Sequence, residues 1–215
     1  MTLAIESQPF ELKLTEGTGS SLVLIGCSKS GKTTLMKYIY KNYFTHTIPL
    51  FFTLNAHTDI YKDFGSKIIC YDDYNPNILK AAHAINSAHH NKFPFFVITD
   101  DIVGNKLKND PQITRLMTVY RNAGMDCLLS VQDPTLLSCV GRNNANYICI
   151  FKQQTSKRWM SVVEEFLLGW FPLGTSKLEI IHYCQEVTKD HSFFMIDNIN
   201  NTIALCKLTP EQANL

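Results

Sequence analysis

One junction near the start constrains the 215-residue chain more than any other feature. Residues 21–27 (SLVLIGC) form a continuous apolar run, and residues 32–44 space Leu35, Ile39 and Tyr43 as on one face of a helix. Between them, Gly26-Cys27-Ser28-Lys29-Ser30-Gly31-Lys32-Thr33 satisfies G-x-x-x-x-G-K-[ST] at every fixed position. A run that is apolar throughout suits an interior strand of a parallel sheet. A glycine-rich turn leading from such a strand into a helix wraps an anion, because successive N–H groups and the helix N-terminus all point inward. The pattern assigns Gly26, Cys27, Ser28, Lys29, Ser30, Gly31, Lys32, Thr33 and Thr34 to a nucleotide-phosphate site. Lys32 is expected to reach the β- and γ-phosphates of ATP, and Thr33 Oγ to ligate Mg²⁺.

A second feature belongs to the same chemistry. Residues 95–101 (FFVITDD) are an apolar strand ending in two acids. Adjacent carboxylates at a strand end repel unless a cation sits beside them. Mg²⁺ and an attacking water supply the reason: Asp100 fits a metal-side acid acting through a bound water, and Asp101 a base that orients or activates the water. Between Lys32 and Asp100 the chain has room for two strands and a helix. That interval and the double acid favour the branch of P-loop folds in which another strand separates the two motif strands.

Further apolar runs extend the alternation. Strands are expected at residues 10–14, 48–55, 67–71, 126–132 and 145–152, and helices from Pro76 to about His90 and over 111–123, the latter closed by Gly124. Alternation of this kind predicts an α/β fold, a mainly parallel sheet with helices on both faces. After Lys152 the pattern changes to helices over 156–168 and 175–186, then a hairpin of 191–197 and 202–208 turning at Asn198–Asn201. With no linker, repeat or low-complexity tract, one domain is expected, a motif core over 20–152 and an extension over 153–215 packed on it.

Composition narrows the function. Twenty Lys and Arg against 19 Asp and Glu give a net charge of +1, which excludes holding nucleic acid by bulk positive charge but not a local basic channel. Seven scattered cysteines without a CxxC pair read as reduced thiols. The N-terminus lacks the pattern of a secretory signal, and no apolar run approaches the ~20 residues of a membrane span. Only four arginines occur (Arg115, Arg121, Arg142 and Arg158), and no glutamate lies between Glu16 and Glu164.

The chain resembles the HerA–FtsK superfamily, and within it the poxvirus-type genome-packaging ATPases of large DNA viruses. The matching elements run in order: GCSKSGKTT from Gly26, FFVITDD from Phe95, TVYRNAGMD from Thr118, LLSVQDPTLL from Leu128 and GRNNANYICIF from Gly141. The resemblance implies a RecA/FtsK-like fold and ATP hydrolysis that drives double-stranded DNA into a capsid. It also implies a pentameric or hexameric homo-oligomeric ring, a capsid or vertex partner, and residence in the host cytoplasm or viral factory. It implies that Gln132 senses the γ-phosphate or attacking water. Arg121 or Arg142 would enter a neighbouring subunit's site as an arginine finger, an interaction typically worth ~10³–10⁵ in turnover. Arg115 and Arg158 are expected on solvated faces. Many superfamily members carry Asp-Glu where this chain has Asp100-Asp101, and the glutamate-free interval leaves Asp101 as the expected catalytic acid.

DNA-contacting loops are sought at residues 103–110, with Lys106 and Lys108, and at 153–158. Two other functions compete. A nucleoside or nucleotide kinase would use several arginines in a lid and acceptor site, yet none precedes Arg115. A non-hydrolytic, nucleotide-dependent assembly protein would leave the paired acids without a role.

Overall fold

The computed structural model describes residues 4–14, 17–64, 68–102 and 106–213. Its centre is one eight-stranded sheet built from β1 (Ser21–Ile25), β2 (Ile48–Thr53), β3 (Ile69–Tyr71), β4 (Phe95–Asp100), β5 (Asp126–Val131), β6 (Tyr147–Ile150), β7 (Phe193–Asp197) and β8 (Thr202–Cys206). The order is β3-β2-β4-β5-β1-β6-β7-β8. β1 through β6 pair in parallel, and β7 and β8 add an antiparallel hairpin on β6. β5 lies between β1 and β4, so the two motif strands are not neighbours, as the expected branch requires.

The apolar runs are continuous because both faces of the sheet are covered. Along β1, Leu22 and Leu24 face one core while Val23 and Ile25 face the other. The first core receives α1 (Lys32–Tyr43) through Leu35, Met36 and Ile39, and Phe44, just beyond α1, stacks on Phe96 at 4.1 Å between ring centroids. The second is covered by α2 (Pro76–Ala88), α3 (Pro111–Thr118), α5 (Ser156–Val162) and α6 (Lys177–Val187). Short α4 (Cys139–Asn143) leads into β6, and α7 (Pro210–Ala213) follows the hairpin.

Register decides the location of chemistry. Ile25 aligns with Val131, Thr99 with Leu129, and Thr53 with Asp100. The C-terminal ends of β2, β4, β5 and β1 therefore form one edge of the sheet.

Several expectations are corrected. Residues 10–14 form no strand; Phe10 and Leu12 are buried, but the backbone there bonds to side chains, Leu12 N–H to Tyr43 Oη at 3.2 Å and Lys13 N–H to Tyr147 Oη at 3.2 Å. The helix expected over 111–123 is α-helical only to Thr118, then tightens into a 3₁₀ turn, Tyr120–Ala123, closed by Gly124 at φ 70°. α5 ends at Val162, continuing as a π-helical turn, Val163–Leu167. Lys67, expected to open β3, and residues 103–105 of the first DNA-loop candidate lie outside the described residues. No described helix is long and apolar enough to cross a membrane.

Candidate active site

The P-loop joins β1 to α1 at the shared edge. Gly31 adopts φ 106°, a conformation costly for any residue with a Cβ, and turns the chain into α1. Lys29 also has φ 61°. Lys32 is only 6% exposed, and its Nζ donates to the carbonyls of Gly26 at 2.7 Å and Cys27 at 2.9 Å. The loop thus holds its own lysine folded across the cradle that phosphate would fill. Burial pushes the Lys32 ammonium below its ordinary range, and the charges of Asp100 and Asp101 pull it back up. Ser28 through Thr34 line this cradle together with Asp100, Asp101 and His191. The buried Ser30 hydroxyl has no partner among the described residues, as expected of a donor waiting for an anion.

Asp100 is 2% exposed, and its Oδ2 accepts from Thr33 Oγ1 at 3.4 Å and Tyr61 Oη at 3.0 Å. Burial raises its pKa above the usual carboxylate range, and the Asp101 charge adds to the rise; the Tyr61 bond and Lys32 act against it. Asp101 is exposed and turns out of β4 at φ 54°, a left-handed conformation that Asp tolerates better than most residues. Its carboxylate accepts from Asn55 Nδ2 at 3.3 Å and from Gln132 Nε2 at 3.5 Å. Three strand ends therefore meet at one carboxylate: Asn55 after β2, Asp101 after β4 and Gln132 after β5.

The donor set fits Mg²⁺ held mainly by phosphate. Among the described residues no group of three or more His, Cys, Asp or Glu could hold a metal by itself. One hydroxyl and one carboxylate beside a phosphate cradle is the sparse set Mg²⁺ uses with nucleotides. Thr33 and Asp100 would hold the ion, which supplies charge neutralisation to the phosphates when bound.

Two further concavities open nearby. One, of about 600 Å³, is largely apolar and lies beside Gly31, Thr34 and Leu35, walled by Phe151, Phe193 and Pro210. His191, at φ 63°, lines both this cavity and the phosphate cradle. The other, of about 540 Å³, contains Asn55, Asp101, Gln132 and Arg158.

The two finger candidates lie elsewhere. Arg121 precedes β5, at the opposite end of the strands, and donates to Gly19 O at 3.2 Å and Asn144 O at 2.8 Å. Arg142 pairs with Glu165 at 2.5 Å and donates to Pro134 O at 3.0 Å and Leu137 O at 2.6 Å. Arg158, expected on a solvated face, is instead half-buried at the edge of the site. Of the second DNA-loop candidate, Gln153 is buried and bonds to Phe151 O at 2.7 Å. Lys106 is paired with Asp73. The sequence carries no local signal for Tyr61, Asn55 or His191, which reach the site only through the fold.

This fold is that of the P-loop NTPases. Solved structures that share it include the genome packaging NTPase B204 from Sulfolobus turreted icosahedral virus 2. Its complex with ATP-gammaS matches with a TM-score of 0.65 at 20% identity, covering 90% of this chain and 98% of that one. Its complex with AMP matches at 0.65 and 21%, covering 89% and 98%. The pCW3 conjugation coupling protein TcpA, with ATPgS, matches at 0.60 and 12%, covering 99% of this chain and 68% of that one. No protein-family model and no curated protein matches the sequence.

Proposed function

We propose that the chain is an ATPase that drives double-stranded DNA into a viral capsid. The observation that carries the catalytic part is the meeting of Lys32, Thr33, Asp100, Asp101 and Gln132 at one sheet edge, on the two sides of a phosphate cradle. In this reading the γ-phosphate displaces the Lys32 ammonium from the loop carbonyls. Water held by Asp101, between Asn55 and Gln132, attacks the γ-phosphorus as Asp101 takes its proton, and the bond from that phosphorus to the β-phosphate oxygen breaks, giving ADP and phosphate. The apolar cavity beside Gly31 takes the base.

The DNA-packaging part is supported by the sequence resemblance and by the packaging NTPase of the same fold and similar length. Arg121 cannot serve the phosphate cradle of its own subunit, because it sits at the far end of the strands; a ring would bring it to a neighbour's. The capsid partner and the residence in host cytoplasm or viral factory follow from the same reading.

The deciding measurement is ATP turnover with and without double-stranded DNA, alongside mass in solution with an ATP analogue. DNA stimulation and a ring are expected. Lys32→Ala should abolish turnover; near-normal turnover in that variant would falsify the site. Phosphate release without an acceptor nucleotide separates this reading from a kinase.

A further inference from the structure

Of the four arginines, Arg158 alone lines a concavity that also holds Asp101 and Gln132. It sits in the first turn of α5, where Thr155 Oγ1 accepts from its backbone N–H at 3.2 Å. The next residue, Trp159, is fully buried and fixes the helix against the core. The guanidinium makes no hydrogen bond or ion pair with any described residue, whereas those of Arg121 and Arg142 are each held by backbone carbonyls. Burial lowers Lys32, the Asp100 and Asp101 charges oppose that, and the Arg158 charge adds to the lowering, so the two cations share one field.

A half-buried guanidinium with no hydrogen-bond or ion-pair partner among the described residues keeps its donors free for a polyanion, and charge-assisted bonds to phosphate are among the strongest available. The concavity adjoins the phosphate cradle through their common residue, Asp101. Asp101 marks the γ-phosphate end of that cradle in the proposed ATPase, on which this inference rests.

We propose that Arg158 binds the γ-phosphate of the ATP held by its own subunit, acting in cis and making the site distinguish ATP from ADP. Because Arg158 belongs to α5, occupancy of the γ-position is communicated to the helix and the π-helical turn that follows it.

The test is calorimetric titration of ATPγS and of ADP, each with Mg²⁺, into wild type, Arg158→Ala and Arg158→Lys. Arg158→Ala should weaken ATPγS roughly tenfold or more, the usual cost of a charge-assisted bond. ADP affinity should stay within about twofold, and Arg158→Lys should recover part of the loss. Equal weakening of both nucleotides would mean that the side chain only supports α5, and no weakening of either would mean that it does not reach the phosphate; both outcomes overturn the proposal. Wild type that binds neither nucleotide would overturn the ATP-site reading itself, and the proposal with it. A second arm mixes Arg158→Ala with Asp101→Asn subunits, mixed rings being confirmed by mass. A residue acting in cis gives no recovery of turnover; recovery would place Arg158 in the neighbour's site and overturn the proposal.

Discussion

The Tyr61 hydroxyl donates to Asp100 Oδ2 across 3.0 Å, and Thr53 Oγ1 donates to that hydroxyl across 3.2 Å. The buried Asp100 carboxylate, proposed to face Mg²⁺, is thus held from behind by a residue of the 3₁₀ turn Asp59–Phe64. Partners of this kind set the orientation and charge of a metal-side group. Tyr61→Phe keeps the ring packed against Phe51 and Phe64 and removes the hydroxyl with both of its bonds. The Mg²⁺ concentration for half-maximal turnover should rise roughly tenfold or more, with little change in melting temperature. An unchanged Mg²⁺ dependence would make the contact incidental.

Asp126 gives a pH dependence of stability. Burial raises its carboxyl to about 6, with the Ser20 N–H bond at 2.6 Å pulling the other way. The folded value lies above the ordinary 3.8, so the contribution is fully present below pH 3.8 and lost as pH rises through 6. Asp126→Asn keeps an acceptor for Ser20 and removes the charge. It should be more stable than wild type at pH 7 by about 2–3 kcal/mol, the difference vanishing near pH 4. Urea unfolding across that range measures it; a constant difference would exclude the titration.

Arg142 and Arg121 should separate in two assays. The Arg142–Glu165 pair has side chains 12% and 25% exposed, so Arg142→Ala strands a carboxylate and two carbonyls and should cost about 2–4 kcal/mol of stability. Arg121→Ala gives up two bonds to carbonyls and should cost about 1 kcal/mol. Arg121→Ala should bind ATP yet lose turnover, with some activity restored by mixing in Asp101→Asn subunits. Without restoration in proven mixed rings, Arg121 is not a trans finger.

Gly26 is needed for space. A Cβ there would lie 2.6 Å from Phe151 Cβ and 2.8 Å from Ser30 Oγ. Phe151 Cβ is tied to the strand edge and cannot swing away. Gly26→Ala should cost about 1–3 kcal/mol and reduce nucleotide affinity, read by thermal melting with and without ATPγS.

Local pattern carried most of the sheet. β1, β4 and β5 are apolar on both faces because each lies between two strands and beneath two layers of helix, and that leaves a continuous run in the chain. Residues 10–14 show the limit: alternation reports burial of Phe10 and Leu12, not where the backbone hydrogen bonds go, and here they go to tyrosine hydroxyls. The P-loop and the acid pair are contiguous and were readable. Tyr61 and Asn55 come to Asp100 and Asp101 only because β2 pairs with β4 in one register. Arg158 was misplaced because a single charged residue in a first helical turn carries no sign of which edge of the sheet that turn meets.

The position of β5 has a mechanical consequence. The six residues of β5, roughly 20 Å of extended chain, lie between the turn bearing Arg121 and Gln132, and that strand is bonded to β1 and β4. Such a rod shifts as a unit and scarcely stretches. In a ring where Arg121 serves the adjoining subunit, whatever moves Gln132 when one site fires must push or withdraw the arginine in the next. The same rod carries the signal back, because coupling between two sites is reciprocal. Every interface of such a ring would then join the Arg121 end of one subunit to the site of the next with one polarity, set by the N-to-C direction of a single strand.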